Sequence, residues 1–437
     1  MFKKNKISVF LITALFCNLS LAADLLDVYK RALENDNQIK IIDADYFIAQ
    51  EQYNQTLSTV FPEINLTAQS KENHIDRYEG GGNLRDYRTD SYSLNITQPI
   101  LRLGLFDELD KASENLNKYN VNQRSSQKDL IVNSTRLYFS LINLKNRIVS
   151  SEIKKSMSEL QLSNARLLFQ NGLITNIELN KYKSNYRLAK IELQELENEF
   201  VSVKQDVYLL TGKEIIEISN FDIKIDLRIK EYDIETILSR AMSEYETIKM
   251  ALHDVSIAKN DLSSNKSGYF PTVDIVASYD YTDTSSGSYR GASTQEISEI
   301  SLVFNLPIFE GGYTNSKVRE SRHNLEKMKF TLDLVRKKLK KDIVNTYNGY
   351  VLNKELIEVR RNNFEEEKEN YLTIKNGFLL GVNSDIQVTE ANYNLHAAKN
   401  EYIQSMMNLI LSDLEIKKYS QDLTIQDIES INQWLVW

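Results

Sequence analysis

Shifted by 209 residues, the chain falls onto itself: Asp24 lands on Asp233, Arg31 on Arg240, Ala32 on Ala241 and Ile39 on Ile248. The overlay continues through Lys40 and Lys249, Asp45 and Asp254, Ile48 and Ile257, and Ala49 and Ala258. It closes with Ser58-x-x-Phe61-Pro62 over Ser267-x-x-Phe270-Pro271. After one residue of slip, Pro99-Ile100 lies over Pro307-Ile308 and Gly104 over Gly312; at the original shift Gly172 meets Gly381 and Ile177 meets Ile386. Solenoid units run about 20 to 50 residues, so this is one large unit written twice.

Each copy has the same internal order. A helical stretch stops at Phe-Pro, two alternating stretches follow, and Pro-Ile with glycine leads into a very long helical segment. Ile64, Leu66 and Ala68 alternate with polar neighbours, as do Tyr92, Leu94 and Ile96. In the second copy the alternating sets are Val273, Ile275, Ala277, Tyr279 and Tyr281, then Ile300, Leu302, Phe304 and Leu306. A period of two predicts strands whose faces meet different surroundings. Glu79 to Asn83 and Ser285 to Ser288 read as hairpin loops. Such strands suit a soluble amphipathic sheet or a lipid-facing barrel wall. Four strands close no barrel in lipid, where at least eight are needed and open edges are not tolerated; three pooled chains give twelve.

Only 14 glycines and 4 prolines occur in 437 residues, which favours long unbroken helices over a large all-β porin. Gly104 to Asn171 contains no proline and no internal glycine and could reach roughly 100 Å. Leucines recur every seventh residue at Leu109, Leu116, Leu130, Leu137 and Leu144, and again at Leu325, Leu332 and Leu339. That repeat marks helices that supercoil. The polar residues between them suit helices packed side by side around water better than a solid bundle. The helices turn back near Asn171-Gly172-Leu173 and between Gly377 and Gly381. Phe221, Ile223, Ile225, Leu227 and Ile229 predict a short strand in a small mixed region, where the tail from Asp422 to Trp437 also packs.

The N-terminus reads as a secretory signal: Lys3, Lys4 and Lys6, an apolar run from Ile7 to Phe16, and Ser20-Leu21-Ala22 before cleavage at Ala22 or Ala23. Its removal takes with it Cys17, the only cysteine, so no disulfide or thiolate chemistry is expected of the mature chain. The 53 basic residues become 50 against 61 acidic ones, a formal charge of −11, which disfavours nucleic acid as a partner. No later stretch is apolar enough for a membrane helix. The four histidines are scattered, with no His-Glu-x-x-His and no Gly-x-Ser-x-Gly. Thr211-Gly212-Lys213 lacks the rest of a phosphate loop. No enzyme, metal or cofactor is predicted. The division reads as a signal segment over 1–22, a first repeat over 23–232, a second over 233–418 and a tail over 419–437.

From Leu306 to Gly312 the sequence Leu-Pro-Ile-Phe-Glu-Gly-Gly, followed by a helix, resembles the second strand-to-helix junction of the TolC family of outer membrane factors. Gln98-Pro99-Ile100 with Gly104 is the weaker first copy. Phe169-x-x-Gly172-Leu173 and Ile177-Glu178-Leu179 resemble the first periplasmic turn of that family, and Gly381 to Val388 the second. The loop from Thr284 through Gln295 and the ending around Asp422-Leu423-Thr424 are also similar, so the resemblance spans about Ala23 to Leu435.

The resemblance implies a mainly α protein with a small β part. Its long α-helical barrel would continue a twelve-stranded transmembrane β-barrel, four strands from each chain of a homotrimer, in the outer membrane with a large periplasmic part. It also implies a periplasmic adaptor and an inner-membrane transporter of ABC, RND or MFS type as partners, for drug efflux or type I protein secretion. Pro99, Gly104, Pro307, Gly311 and Gly312 would be strand-helix junctions, and Gly172, Leu173 and Gly381 adaptor-docking turns. Gln387 and Glu390 fall where the family carries gate acids, so one acid is replaced by an amide. Phe378 and Asn383 stand where a tyrosine and an arginine help lock the closed state, and Glu178 in the place of their acidic partner. The resemblance then implies a lock with fewer polar ties, or one made by other residues. A periplasmic coiled-coil rod and a stand-alone porin are the alternatives.

Overall fold

Helix-forming stretches with few breakers produce two helices of unusual length. α1 (Leu25–Asn35) and α2 (Asn37–Ser58) precede the hairpin β1 (Glu63–Asn73) and β2 (Tyr87–Leu101). α3 (Leu103–Gln170) descends for 68 residues, roughly 100 Å, and α4 (Asn176–Thr211) returns. After the short β3 (Asn220–Phe221) the order repeats with α5 (Ile234–Glu244), α6 (Glu246–Ser267), β4 (Thr272–Thr284), β5 (Ser293–Asn305), the 67-residue α7 (Tyr313–Leu379) and α8 (Asp385–Tyr419). α9 (Ile425–Asn432) and β6 (Leu435–Val436) end the chain. This is a computed structural model, and it describes residues 24–74, 86–215, 217–225, 227, 229–286, 288 and 291–436. The signal segment with Lys3, Lys4, Lys6 and Cys17 lies outside the described residues, as do Glu79–Asn83, Gly287 and Arg290.

The four long strands form one antiparallel sheet ordered β1-β2-β4-β5. Its register aligns Ile64, Ile96, Ala277 and Ile300 in one row, and Leu66, Leu94 and Tyr279 in the next. The period of two therefore becomes one apolar face and one face of Asn65, Thr67, Ser93, Asn95, Ser278 and Glu299. No described element covers the apolar face: Leu66 is 73% exposed and Ile300 82%.

Alternation of side chains misled in one place. Phe221 to Ile229 was expected as a strand, yet among the described residues only Asn220 and Phe221 pair, with Val436 and Leu435. A ladder can be no longer than its partner, and the described tail offers two residues. The helical stretch before each Phe-Pro is also two helices rather than one. The chain is extended at Asp36 (ψ 118) and at Tyr245 (ψ 137), positions 209 apart.

The seven-residue columns pack as supercoiling requires. On α7 the stripe runs Val318, Leu325, Leu332 and Leu339, then steps four residues to Ile343 and continues through Tyr350, Ile357 and Phe364. That step re-aims the stripe from α6, which Ser321 meets through Asn265, to α8, where Phe364 stacks on Tyr402. Between α3 and α6, Lys111–Asp261, Glu114–His253 and Lys118–Asp254 set register at 2.6–2.8 Å. Half-exposed pairs of this kind contribute little net stability. The main core sits midway along the helices, where Tyr138, Leu141, Ile142, Met406, Met407 and Leu414 meet α1, α9 and the segments around β3 and β6.

Candidate functional site

The strand-helix junctions come first along the chain. Pro99 and Ile100 lie inside β2, and the register shifts between Pro99 and Leu101, an irregularity where a residue without an N–H is tolerated. Arg102 then clamps Asp274 of β4 through two hydrogen bonds of 2.8 Å, and α3 begins at Leu103. Gly104, expected at the strand-helix junction, is helical, one residue inside α3. Its lack of a side chain lets α3 approach α6, since a Cβ there would collide with the Ser267 hydroxyl. The second copy does bend. Pro307 to Glu310 form an open loop, and Gly311 and Gly312 take φ of +62° and +88°, a left-handed conformation glycine adopts without strain.

At the far end of the long helices two turns are built alike. α3 ends with Gly172 at φ +71°, where the Leu173 N–H donates to the Leu168 carbonyl at 2.9 Å. α7 ends with Gly381 at φ +76°, where the Val382 N–H donates to the Gly377 carbonyl at 2.8 Å. Both are Schellman closures. Both return helices then open on a capping box. The Glu178 N–H donates to the Thr175 hydroxyl while the Glu178 carboxylate accepts from the Thr175 N–H at 2.7 Å. Gln387, 209 residues on, makes the same exchange with Ser384, its amide oxygen accepting at 2.8 Å. The Thr175 N–H holds the Glu178 carboxyl below the usual glutamate range.

Of the residues expected to form a gate, Glu178 and Gln387 therefore face their own N-caps within one protomer. Asn383 turns back on α7, donating to the Ile374 carbonyl at 2.9 Å, and lies over Gly377. Phe378 and Glu390 are exposed. All five sit at the same end of the molecule. Leu173 is 70% exposed at its turn. The structure also exposes Ile177, read from the sequence as part of the turn motif, and Leu379, Leu380 and Val382, which sequence reasoning did not single out. The signal was present as Leu379-Leu380-Gly381-Val382, an apolar run around a turn glycine.

Midway along the helices, Gln421 has the one positive φ outside glycine among the described residues, +64°. Its amide bridges Lys128 of α3 and Glu246 of α6, which themselves pair at 2.6 Å. Burial opposes ionisation of Glu246, but the bonds from Lys128 and Gln421 outweigh it and lower its pKa. No group of potential metal ligands occurs among the described residues, and no helix there is long and apolar enough to cross a membrane.

The family model described as outer membrane efflux protein matches residues 28–213 and 237–418. The chain belongs to the outer membrane efflux protein family. It is accordingly an outer-membrane protein of a channel family and not an enzyme. Outer membrane protein TolC of Escherichia coli K12 is 22% identical, over 96% of this chain and 86% of that protein. Proteases secretion protein PrtF of Dickeya chrysanthemi is 20% identical over 71% of this chain and 69% of its own length. The crystal structure of the Campylobacter jejuni CmeC outer membrane channel superposes with a TM-score of 0.72 at 16% identity, covering 94% of this chain and 89% of that one. That likeness concerns the fold alone.

Proposed function

We propose that this outer membrane efflux protein is a homotrimeric exit duct. Three chains pool their strands in a twelve-stranded barrel, and the helices continue it as a tunnel across the periplasm. The observation that carries this reading is the uncovered sheet. An apolar face with both edge strands, β1 and β5, unpaired is not tolerated in water or in lipid. Joining β5 of one chain to β1 of the next satisfies every edge at once. The same junction brings α7 beside the neighbour's α2 and α4. α7 exposes Phe330, Leu334, Leu352 and Val359, α2 exposes Ile41 and Ile48, and α4 exposes Leu188, Ile191 and Val201. These apolar stripes suit one another.

On this reading Gly172, Leu173 and Gly381, with Leu380 and Val382, form the tip that a periplasmic adaptor engages. Glu178, Phe378, Asn383, Gln387 and Glu390 surround the periplasmic entrance. The driving energy comes from an inner-membrane transporter of ABC, RND or MFS type. The similarity to TolC and to a protease-secretion protein supports an exit for small molecules, secreted proteins or both.

Electron microscopy of the mature chain in detergent tests the duct. A three-fold particle with a membrane ring and a tube of roughly 100 Å is the expected image. A water-soluble monomer or a filament overturns the proposal and leaves a coiled-coil rod.

A further inference from the structure

Midway along the protomer a cavity of about 340 Å³ lies between α3, α6 and the start of α9. Its charged lining is Arg124 and Lys128 from α3 with Glu246 and Lys249 from α6. Both oxygens of that one carboxylate are engaged, Oε1 by Lys128 and Oε2 by Gln421. Arg124 and Lys249 enter no ion pair or hydrogen bond among the described residues. Acids do not alternate with them. The residues one turn from Arg124 are Asn120, Val121, Gln127 and Lys128, and Glu246 is the only acid one turn from Lys249. Asp422 and Asp427, beside the start of α9, pair with Arg240 and Lys417 and do not line the cavity. Three cations therefore face one saturated carboxylate, in a chain whose formal charge is negative.

Gln421 is an independent sign that the site is built. It follows the C-cap of α8 at φ +64°, a conformation that glycine adopts without strain and other residues do not. A glutamine held there acts through its amide, which accepts from Lys128 and donates to Glu246 at 2.7 Å. The bridge fixes the Lys128 ammonium at the cavity with two of its three donors engaged and one left over. Arg124 stands one heptad before Ile131 and two before Tyr138 on α3, and Tyr138 bonds to Ser219 in the segment between the two repeats. A tunnel carries such a segment on its outside, so the cavity opens to the periplasm and not to passing cargo.

We propose that this cavity binds a phosphoryl dianion, either free phosphate or the phosphate group of a small monoester. Two negative charges match the two cations that lack a partner, and the forked Arg124 guanidinium suits phosphate oxygens in pairs. The volume lies at the small end of ligand cavities, and Val121, Ile131 and Leu423 form an apolar wall for an organic body. A bound anion ties α3, α6 and the chain after α8 together at mid-tunnel, and so stabilises the fold by mass action. The outward placement rests on the duct reading; the binding itself does not.

The test is calorimetric titration and thermal unfolding of the full mature protein in detergent, with inorganic phosphate and glycerol 3-phosphate as probes. Ionic strength is held constant at about pH 8, where the phosphate is a dianion. The expected result is saturable binding that raises the unfolding midpoint, with no such rise from chloride at equal ionic strength. Arg124→Gln and Lys249→Gln each weaken binding about tenfold. Neither removes an ion pair or hydrogen bond of the folded chain, so both keep the wild-type midpoint without ligand. The charge-matched K181Q/R187Q on α4 binds as wild type. Tighter binding of glycerol 3-phosphate assigns the apolar wall to an organic body, and tighter binding of phosphate assigns the site to the free anion. Binding of neither probe, wild-type affinity in both cavity variants, or the same loss in K181Q/R187Q overturns the proposal. Particle mass is measured in parallel. A protein that binds but is not trimeric refutes the duct and leaves the site standing, while a trimer that binds neither probe refutes the site alone.

Discussion

The two tip turns allow a charge to be separated from a cap, because the duplicated sequence has already made the substitution once. Gln387 performs for α8 the exchange that Glu178 performs for α4. Glu178→Gln therefore keeps the cap and removes the charge, whereas Glu178→Ala removes both. Thr175→Ala removes the hydroxyl that accepts from the Glu178 N–H at 3.2 Å. Loss of an N-cap side chain costs about 1 kcal/mol, so the first turn of α4 should open about fivefold more often. Hydrogen exchange of the amides from Ile177 to Leu179 reads this directly, and closed-state conductance in planar bilayers reads the entrance. Exchange should quicken about fivefold in Thr175→Ala and by less in Glu178→Gln, which keeps the bond and loses only the contribution of the charge. Conductance should rise in Glu178→Ala and remain low in Glu178→Gln, because the carboxylate reaches only its own N-cap. Wild-type exchange in Thr175→Ala would sink the capping argument, and a Glu178→Gln channel as leaky as Glu178→Ala would return the gate to the charge.

Acid gives an independent arm of the same test. The Glu178 pKa is depressed by the bond from Thr175, so its stabilisation is present above the ordinary glutamate pKa and is lost as pH falls through the lowered value. Gln387 does not titrate. Acidification should therefore loosen the start of α4 while leaving that of α8 unchanged, and equal loosening of both would show that the carboxylate is not what holds the turn.

Three further outcomes follow from the same structure. Leu352→Asp with Val359→Asp should convert trimers to monomers, since each loses about 2 kcal/mol of apolar burial at every seam and puts a carboxylate in its place; light scattering in detergent that still shows trimers removes these residues from the interface. Gly377→Ala should push Asn383 off the Ile374 carbonyl, so Gly377→Ala and Asn383→Ala should couple by about 1 kcal/mol; strictly additive effects on exchange at the turn would mean the two side chains do not compete for space. Lys128→Met should cost about 3 kcal/mol by leaving Glu246 buried and unpaired, and because the Glu246 pKa is lowered, wild-type stability should fall with pH as that carboxylate protonates. Glu246→Gln should flatten this dependence of the thermal midpoint, and an unchanged slope would place the titration elsewhere.

The parts of this fold that could be read from the sequence are those with a repeating physical cause. Leu325, Leu332 and Leu339 had to be spaced by seven to stay in one seam, and Ile64, Leu66 and Ala68 by two to stay on one face. The parts that could not be read share a different property, in that one residue type satisfies two unrelated constraints. Gly104 and Gly312 look equivalent, yet one allows two helices to touch and the other allows a left-handed turn, and both demands are met by the absence of a Cβ. Asp36 caps α2 from what reads as the interior of a single helix. Phe221 to Ile229 alternates like a strand, but alternation does not supply a partner.

The expected gate shows the same ambiguity. Thr175-x-x-Glu178 and Ser384-x-x-Gln387 are capping-box patterns in plain sequence, and resemblance drew attention to the charge before the spacing. A side chain engaged by its own N-cap is held in place by that bond and presents only its remaining polar atoms to a neighbouring subunit, Oε1 of Glu178 and Nε2 of Gln387. If the entrance is closed by contacts between subunits, Glu390 and Phe378, which are exposed, are free to make them, and Glu178, Gln387 and Asn383 act by keeping the turns rigid enough for those contacts to be repeated three times.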